Sequence, residues 1–428
     1  LRVIALIFQI WLIGKIGSSG IGLFELVMSV GALCATFAVS GIRFASTRLI
    51  SEELGLGRAG SVRAAVERCI VYSLFFGAAS CAVVLLFAER IGFLWIGDAR
   101  TVKSLRVLAL SLPFTALANV FAGYFTAVGR VSKSAAIQIC EQLLRILLVV
   151  FMLSETRDGD VEANCLAVTA AGTLSCTVSC AVFAAVYYHD RRHHFPTGTP
   201  AERLTPRLLQ IAVPLALSAY VRTALTTLEH LLIPRALKQA GNSSEAALSG
   251  FGTVHGMVFP IILFPSCLLS ALAELLVPEL TSAQVSGRDR EISRAVSSLL
   301  RKSLAFSLAT ALFLYFTGDA LGYLIYKSAD AGSYIKIFAP LIPIMYLDMV
   351  TDGCLKGLGQ MMWAMGVNIA DSVLSIVLVL ILVPRFGISG YVGVIYIAEL
   401  MNFALSIGRL AHLTEIRLIP GFKKKKSV

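Results

Sequence analysis

LRVLALSLPFTALANVFAGYFTAVGR, residues 105–130, lies over IKIFAPLIPIMYLDMVTDGCLKGLGQ, residues 335–360, when the chain is slid along itself by 230 positions. Ala109, Pro113, Leu117, Val120, Gly123 and Gly129 recur as Ala339, Pro343, Leu347, Val350, Gly353 and Gly359. The same offset carries Ala65, Val66, Ser73 and Leu74 onto Ala295, Val296, Ser303 and Leu304, and Ile139, Leu144, Ile146 and Leu148 onto Ile369, Leu374, Ile376 and Leu378. Apolar segments match by accident fairly often. One fixed offset held across three successive segments, punctuating Pro and Gly included, is stronger, and the chain reads as two copies of one plan.

The plan is a membrane one. Of the 428 residues 57% are hydrophobic and only 15% charged, and the mean hydropathy is +0.79, so the chain falls outside the ordinary composition of soluble domains. Twelve apolar runs are long enough to cross a hydrocarbon core of about 30 Å: 1–17, 20–52, 62–88, 102–128, 132–154, 162–188, 206–237, 246–280, 293–317, 333–358, 362–384 and 389–411. Backbone groups in lipid must bond within their own segment, so these runs predict helices. The expected fold is an all-α polytopic membrane protein of about twelve helices in two six-helix lobes. Residue 1 is Leu and lies inside an apolar run, so the first helix is expected to have lost its cytoplasmic start; no cleavable signal peptide is read.

Lys and Arg concentrate in GLGRAGSVR, GRVSK, HDRRHHFPTGTPAERLTPR, SGRDREISR and the end GFKKKKSV. By the positive-inside rule these segments, and both termini, are expected in the cytoplasm. The segment AERIGFLWIGDARTVKSLR is a partial exception. Six helices per half put both halves the same way up, so a pseudo-twofold along the membrane normal is expected. The division reads as an N-terminal lobe 1–189, a polar linker 190–205, a C-terminal lobe 206–416 and a basic tail 417–428 whose lysines lie on anionic headgroups. A net charge of +11 reads as topology and attraction to membrane lipid, with no motif for nucleic acid. A duplicated hydrophobic chain of this kind predicts a secondary transporter in the cell membrane, its substrate site where the repeats meet.

Enzymatic signatures are missing. The nine cysteines fall in predicted helices without metal spacing and read as small core residues. The pair His193–His194 lies in the linker and reads as solvated or at the headgroups. No Walker A loop, GxSxG or HExxH occurs. The expectation is therefore not an enzyme, with no cofactor, driven by a gradient, by the membrane potential or by a separate partner.

Ionisable residues at membrane depth carry the functional signal, because they are expensive there and face a watery path or a partner. Counting about 1.5 Å per residue from the cytoplasmic ends, Arg43 lies about 16 Å deep, Arg222 about 20–25 Å and Arg145 about 21 Å. Arg43 and Arg222 have no acid at i±3 or i±4. Asp348, Asp352 and Lys356 share one face of helix ten at i, i+4, i+8, and Glu141–Arg145 and Asp352–Lys356 have the spacing of intrahelical ion pairs, so a structural reading stands beside the functional one for those two pairs. Arg48 and Lys356 are shallow enough to snorkel. Glu229 and His230 end helix seven; Asn368, Asp371 and Ser372 lie on helix eleven, Asp371 being the repeat mate of Glu141. Such an acid, amide and hydroxyl can hold Na⁺ or a proton, or simply bond helix to helix.

The opening RVIALIFQIWLIGKIGSSGIGLFELVMSVGAL, followed by GIRFASTRLISEELG, resembles the multidrug/oligosaccharidyl-lipid/polysaccharide (MOP) flippase superfamily, nearest its stage V sporulation protein B branch of polysaccharide exporters. The resemblance covers essentially the whole chain as a two-times-six helix plan. It implies two lobes around a central cavity, alternating access, and movement of lipid-linked sugars. Related lipid II flippases line that cavity with arginines from helices one, two and eight. Arg2 matches the first by position. Gln9 stands where many members carry another arginine, and Arg43 where relatives of this branch often have Pro. Helix eight offers only His255 and Glu274 at depth, with Arg222 on helix seven as the nearest substitute. The resemblance also implies a cation site from an acid on helix seven and polar groups on helix eleven, to which Glu229, Asn368 and Asp371 correspond roughly.

Two transport readings compete. A flippase for an anionic lipid-linked oligosaccharide needs cavity cations, since phosphate and pyrophosphate pair with Arg; Arg2, Arg43, Arg222 and Arg145 are the candidates. A multidrug exporter of organic cations needs buried acids instead, yet the membrane part of the first two helices carries only Glu25. The flippase reading is favoured, with a polyprenyl phosphate or pyrophosphate sugar as partner and a monomeric protein. A membrane enzyme acting on lipid-linked sugars would want clustered acids or a His–acid pair at one membrane face.

Overall fold

The computed structural model describes residues 2–56, 59–156, 160–194, 204–286 and 288–414, and within these the side chains of residues 2, 3, 59, 192–194, 274, 275, 278, 281, 282 and 285 lie outside the described set. Most of the linker and the basic tail also lie outside it. Fourteen α-helices follow in order: α1 Arg2–Val39, α2 Ile42–Gly55, α3 Val62–Arg90, α4 Val102–Ala127, α5 Val131–Ser154, α6 Val161–His194, α7 Leu204–Gln239, α8 Ser244–Gly252, α9 Phe259–Leu263, α10 Ser266–Val285, α11 Asp289–Tyr326, α12 Ala329–Phe338, α13 Ile342–Gly357 and α14 Met361–Leu413. No strand occurs among the described residues.

Among the described residues ten helical stretches are long and apolar enough to cross a membrane. Two of them, Ile4–Leu54 and Met361–Leu413, are too long for one crossing, since about 20 residues suffice. Each bends at a glycine in a conformation that a side chain resists: Gly17 with φ +72° in the first, Gly387 with φ +60° in the second. Splitting there gives the twelve crossings expected from the sequence. The expected second and eighth helices are not continuous. The second is interrupted at Ser40 and Gly41, and the eighth is built from α8, a π-helical turn Thr253–Val258, α9 and α10.

The repeat survives in the packing. Val66 and Val296, Val120 and Val350, and Ala109 and Ala339 are all buried. α4 and α13 end in the same way: Gly129 (φ +73°) and Gly359 (φ +71°) take the left-handed conformation. The next amide in each case bonds back to the fifth carbonyl before it, Arg130 to Phe125 at 2.8 Å and Gln360 to Leu355 at 2.8 Å. Gly123 and Gly353 both stand at close helix contacts. A Cβ on Gly123 would sit 2.6 Å from the Arg43 carbonyl, and one on Gly353 would sit 2.8 Å from the Ala273 Cβ; Arg43 and Ala273 are themselves 230 apart. The prolines are used less alike. A 3₁₀ turn, Ala339–Leu341, precedes Pro343, whereas α4 stays helical through Pro113.

The chain packs as two compact units. The first gathers residues 3–8 and 15–231, the second residues 9–14 and 232 onward. The packing boundary thus falls inside α7, later than the linker at 190–205. The reason is local: the first two thirds of α7 are bonded along α1 and α2. Arg207 reaches Glu52 (2.7 Å) and Glu53 (2.6 Å), Gly41 lies against the Ala212 carbonyl, the Tyr220 hydroxyl bonds to Ser40 Oγ (2.5 Å), and Thr227 donates to the Ser29 carbonyl (3.0 Å). The core of the first unit, including Ile42, Val66, Val120, Phe125, Phe183 and Leu208, draws on α2, α3, α4, α6 and α7. In the second unit Gln9 of α1 donates to the Gly256 carbonyl in the π turn (3.2 Å).

Candidate functional site

In the first unit Arg43 is in the first turn of α2 and Arg222 is about halfway along α7. Both are exposed. Among the described residues neither guanidinium has a hydrogen-bond or ion-pair partner. Arg222 belongs to a polar stripe with Ser218, Thr226 and Glu229 at i, i+4, i+8 and i+11, one helical face. A separate stripe on α7, Val213, Leu217, Val221 and Leu228, is exposed and apolar. α7 therefore distinguishes a polar accessible face carrying Arg222 from an apolar one suited to lipid.

Arg145 stands differently. It bonds to Glu141 at 3.1 Å and reaches Ser175 Oγ at 3.5 Å, the intrahelical pair that its spacing allowed. Arg2 begins α1, with its side chain outside the described set. At the other end of the α1–α7 contact, Ser29 donates to the Glu25 carbonyl (2.8 Å) and so accepts from His230 Nδ1 (2.8 Å).

The second unit contains a cavity of about 290 Å³ lined by Leu263, Met345, Met349, Asp348, Asp352, Asn368, Glu399, Asn402 and Ser406. α13 supplies Asp348 and Asp352; the two halves of α14 supply Asn368 from one side of Gly387 and Glu399, Asn402 and Ser406 from the other. Glu399, Asn402 and Ser406 are at i, i+3 and i+7, so one face of the last crossing turns polar groups into the cavity. Asp352 is paired with Lys356 at 2.6 Å. Asp348 and Asp371 each keep one buried carboxylate oxygen without a hydrogen-bond partner. Asp371 is within electrostatic reach of both Asp348 and Glu399. Among the described residues Lys356 is the ammonium paired within this group of four carboxyls, an arrangement that a proton or a cation can offset. Among the described residues no cluster of His, Cys, Asp and Glu has the geometry of a metal site.

Of the residues expected around a cation, Asn368 lines this cavity, Asp371 lies beside it, and Glu229 groups with the first unit. Sequence reading had singled out Asp348 and Asp352 but missed Glu399, Asn402 and Ser406. The signal was present: Glu399 is an acid inside the apolar run 389–411, with an amide and a hydroxyl on the same helical face.

The chain matches the MatE family profile over residues 2–151 and 239–381. It is 21% identical to stage V sporulation protein B of Bacillus subtilis (strain 168) over 396 residues, which are 91% of this chain and 76% of that protein. Among solved structures it is similar to an inward-facing multidrug resistance MATE family transporter of the MOP superfamily (TM-score 0.77, 16% identity, 96% of this chain and 95% of that one). It is also similar to the lipid II flippase MurJ in an inward closed conformation (TM-score 0.72, 13% identity, 96% and 85%). At these identities the two structures speak for the fold.

Proposed function

This chain belongs to the MatE family and is a multi-pass membrane transporter of the MOP superfamily, and we propose that it moves an anionic lipid-linked oligosaccharide or polysaccharide precursor across the cytoplasmic membrane by alternating access. The observation that carries this reading is the pair Arg43 and Arg222, two guanidinium groups within apolar helical stretches that stand exposed and without a partner among the described residues. An unpaired arginine in that setting is unfavourable by several kcal/mol unless water or an anion offsets it. A phosphate or pyrophosphate is the ligand that a planar, always charged guanidinium fits best. A lipid II flippase shares this fold, so the fold admits a lipid-linked cargo.

The acidic cavity of the second unit supplies the other half of the proposal. Asp348, Glu399 and Asp371 are the groups proposed to take up a coupling ion there as H⁺, with Asn368 and Asn402 beside them. Both termini lie on the cytoplasmic side, the working protein is a monomer, and no cofactor takes part. Arg2 remains a candidate contact by position, and Arg145 serves structure through Glu141.

The same acidic cavity favours a second reading, export of an organic cation, which the multidrug transporter with the same fold makes concrete. Sealed liposomes containing the purified full chain separate the two. The flippase reading expects protein-dependent translocation of an undecaprenyl pyrophosphate-linked oligosaccharide and no protein-dependent movement of ethidium. Ethidium transport without lipid translocation overturns it in favour of cation export.

A further inference from the structure

Among the described residues two non-glycine residues have positive φ, and they differ in setting. Lys327 (φ 51°) is exposed and caps the end of α11, a common place for a left-handed residue. Ser40 (φ 45°) is 1% exposed and sits between α1 and α2, followed by Gly41 at φ 72°. A serine gains nothing from that conformation by itself, and such a residue persists only where its surroundings impose it. Here they do. The Tyr72 hydroxyl of α3 donates to the Ser40 carbonyl at 3.1 Å. Ser40 Oγ is 3.0 Å from the same Tyr72 oxygen and 2.5 Å from the Tyr220 oxygen of α7. One proton arrangement satisfies all three contacts: Tyr220 donates to Ser40 Oγ, Ser40 Oγ donates to Tyr72, and Tyr72 donates to the Ser40 carbonyl.

This hub joins three helices where the chain bends. Arg43 follows the bend by three residues, inside the first turn of α2. Arg222 follows Tyr220 by two residues, about 200° around α7, so a tyrosine bonded towards α1 and α2 turns the arginine to the opposite, accessible face. Phe37 packs on the Tyr220 ring at 4.3 Å between centroids, and Gly41 admits α7 so closely that any Cβ there would lie 2.8 Å from the Ala212 carbonyl. Rotation and register of α7 against α2 are thus fixed within one turn of both arginines.

We propose that Ser40, Tyr72 and Tyr220 are positioning residues that hold Arg43 and Arg222 in one fixed relative placement for the phosphate groups of the lipid substrate. The proposal rests on the phosphate-binding reading above. Loss of the Tyr220 hydroxyl frees α7 to rotate, so the two guanidinium groups no longer meet the headgroup together. Loss of the Ser40 hydroxyl as glycine removes the hub's centre while relieving the backbone conformation, so stability is retained.

The test measures binding of undecaprenyl pyrophosphate to the full chain in nanodiscs, with thermal stability followed in parallel. Tyr220→Phe and Ser40→Gly are each expected to weaken binding about fivefold in the otherwise unchanged chain. Neither should weaken it further in an Arg43→Ala/Arg222→Ala background, where the remaining binding is read at higher probe concentration. The change in melting temperature should be the same in both backgrounds. A hub that merely holds the fold gives equal loss of binding with and without the arginines, or none at all, and either result overturns the proposal alone. An Arg43→Ala/Arg222→Ala chain that binds the probe like wild type overturns both the proposal and the phosphate-binding reading.

Discussion

Two buried acids of the first unit, Asp190 and Glu53, and two of its arginines, Arg43 and Arg222, are treated in opposite ways. Asp190, 2% exposed at the end of α6, accepts from Tyr124 (2.8 Å), from Lys133 (3.0 Å) and from Arg130. Glu53, fully buried at the end of α2, is met by Arg207 at 2.6 Å. Arg43, just after the bend at Ser40 and Gly41, and Arg222, near the middle of α7, have no partner among the described residues. The same unit that surrounds one aspartate with three donors leaves two arginines open. Partners were therefore within the reach of this sequence, and the proposed phosphate-binding role accounts for their lack at these two positions.

The contrast can be broken or sharpened by substitution. The largest effect on stability is expected for Asp190→Ala, which leaves the Arg130 and Lys133 charges facing each other beside the Tyr124 hydroxyl. Breaking a buried, hydrogen-bonded pair from one side is unfavourable by about 3–5 kcal/mol, visible as a fall in the thermal midpoint of the purified protein. Arg207→Ala comes next, about 2–4 kcal/mol, because it leaves Glu53 buried without its cation; Arg207→Ala combined with Glu53→Gln should recover most of that loss. Lys356→Ala, in a pair whose lysine is half exposed, should change stability by less than about 1 kcal/mol. Smallest of all, Arg43→Ala and Arg222→Ala should leave stability within about 0.5 kcal/mol, since no contact is lost. A destabilisation of Arg43→Ala comparable to that of Asp190→Ala would erase the distinction.

Much of this was legible beforehand. The 230-residue offset, carried by Pro113/Pro343, Gly123/Gly353 and Gly129/Gly359, fixed the duplicated plan, and the glycines proved to be a close helix contact and a left-handed cap in both copies. Intrahelical spacing gave the Glu141–Arg145 and Asp352–Lys356 pairs. The bends were harder. Hydropathy cannot see that Ser40 is left-handed, because the cause lies in Tyr72 and Tyr220, remote in sequence. Nor could it show that most of α7 packs along α1 and α2, since that follows from contacts such as Arg207 with Glu53. The acidic cavity was half legible: Asp348 and Asp352 stood out on one helical face, while their meeting with Glu399 depends on the fold of α14 around Gly387.

The central claim is that Arg43 and Arg222 are kept open for the phosphate groups of a lipid-linked cargo. Its most direct test is translocation of an undecaprenyl pyrophosphate-linked oligosaccharide into sealed liposomes by wild type, Arg→Lys and Arg→Ala variants at both positions, each confirmed to be folded. A lysine keeps the charge without the planar fork, so rates should fall in the order wild type, Lys, Ala, with the double Ala variant reduced at least about tenfold, equivalent to about 1.4 kcal/mol. Wild-type rates in the double Ala variant would contradict the account.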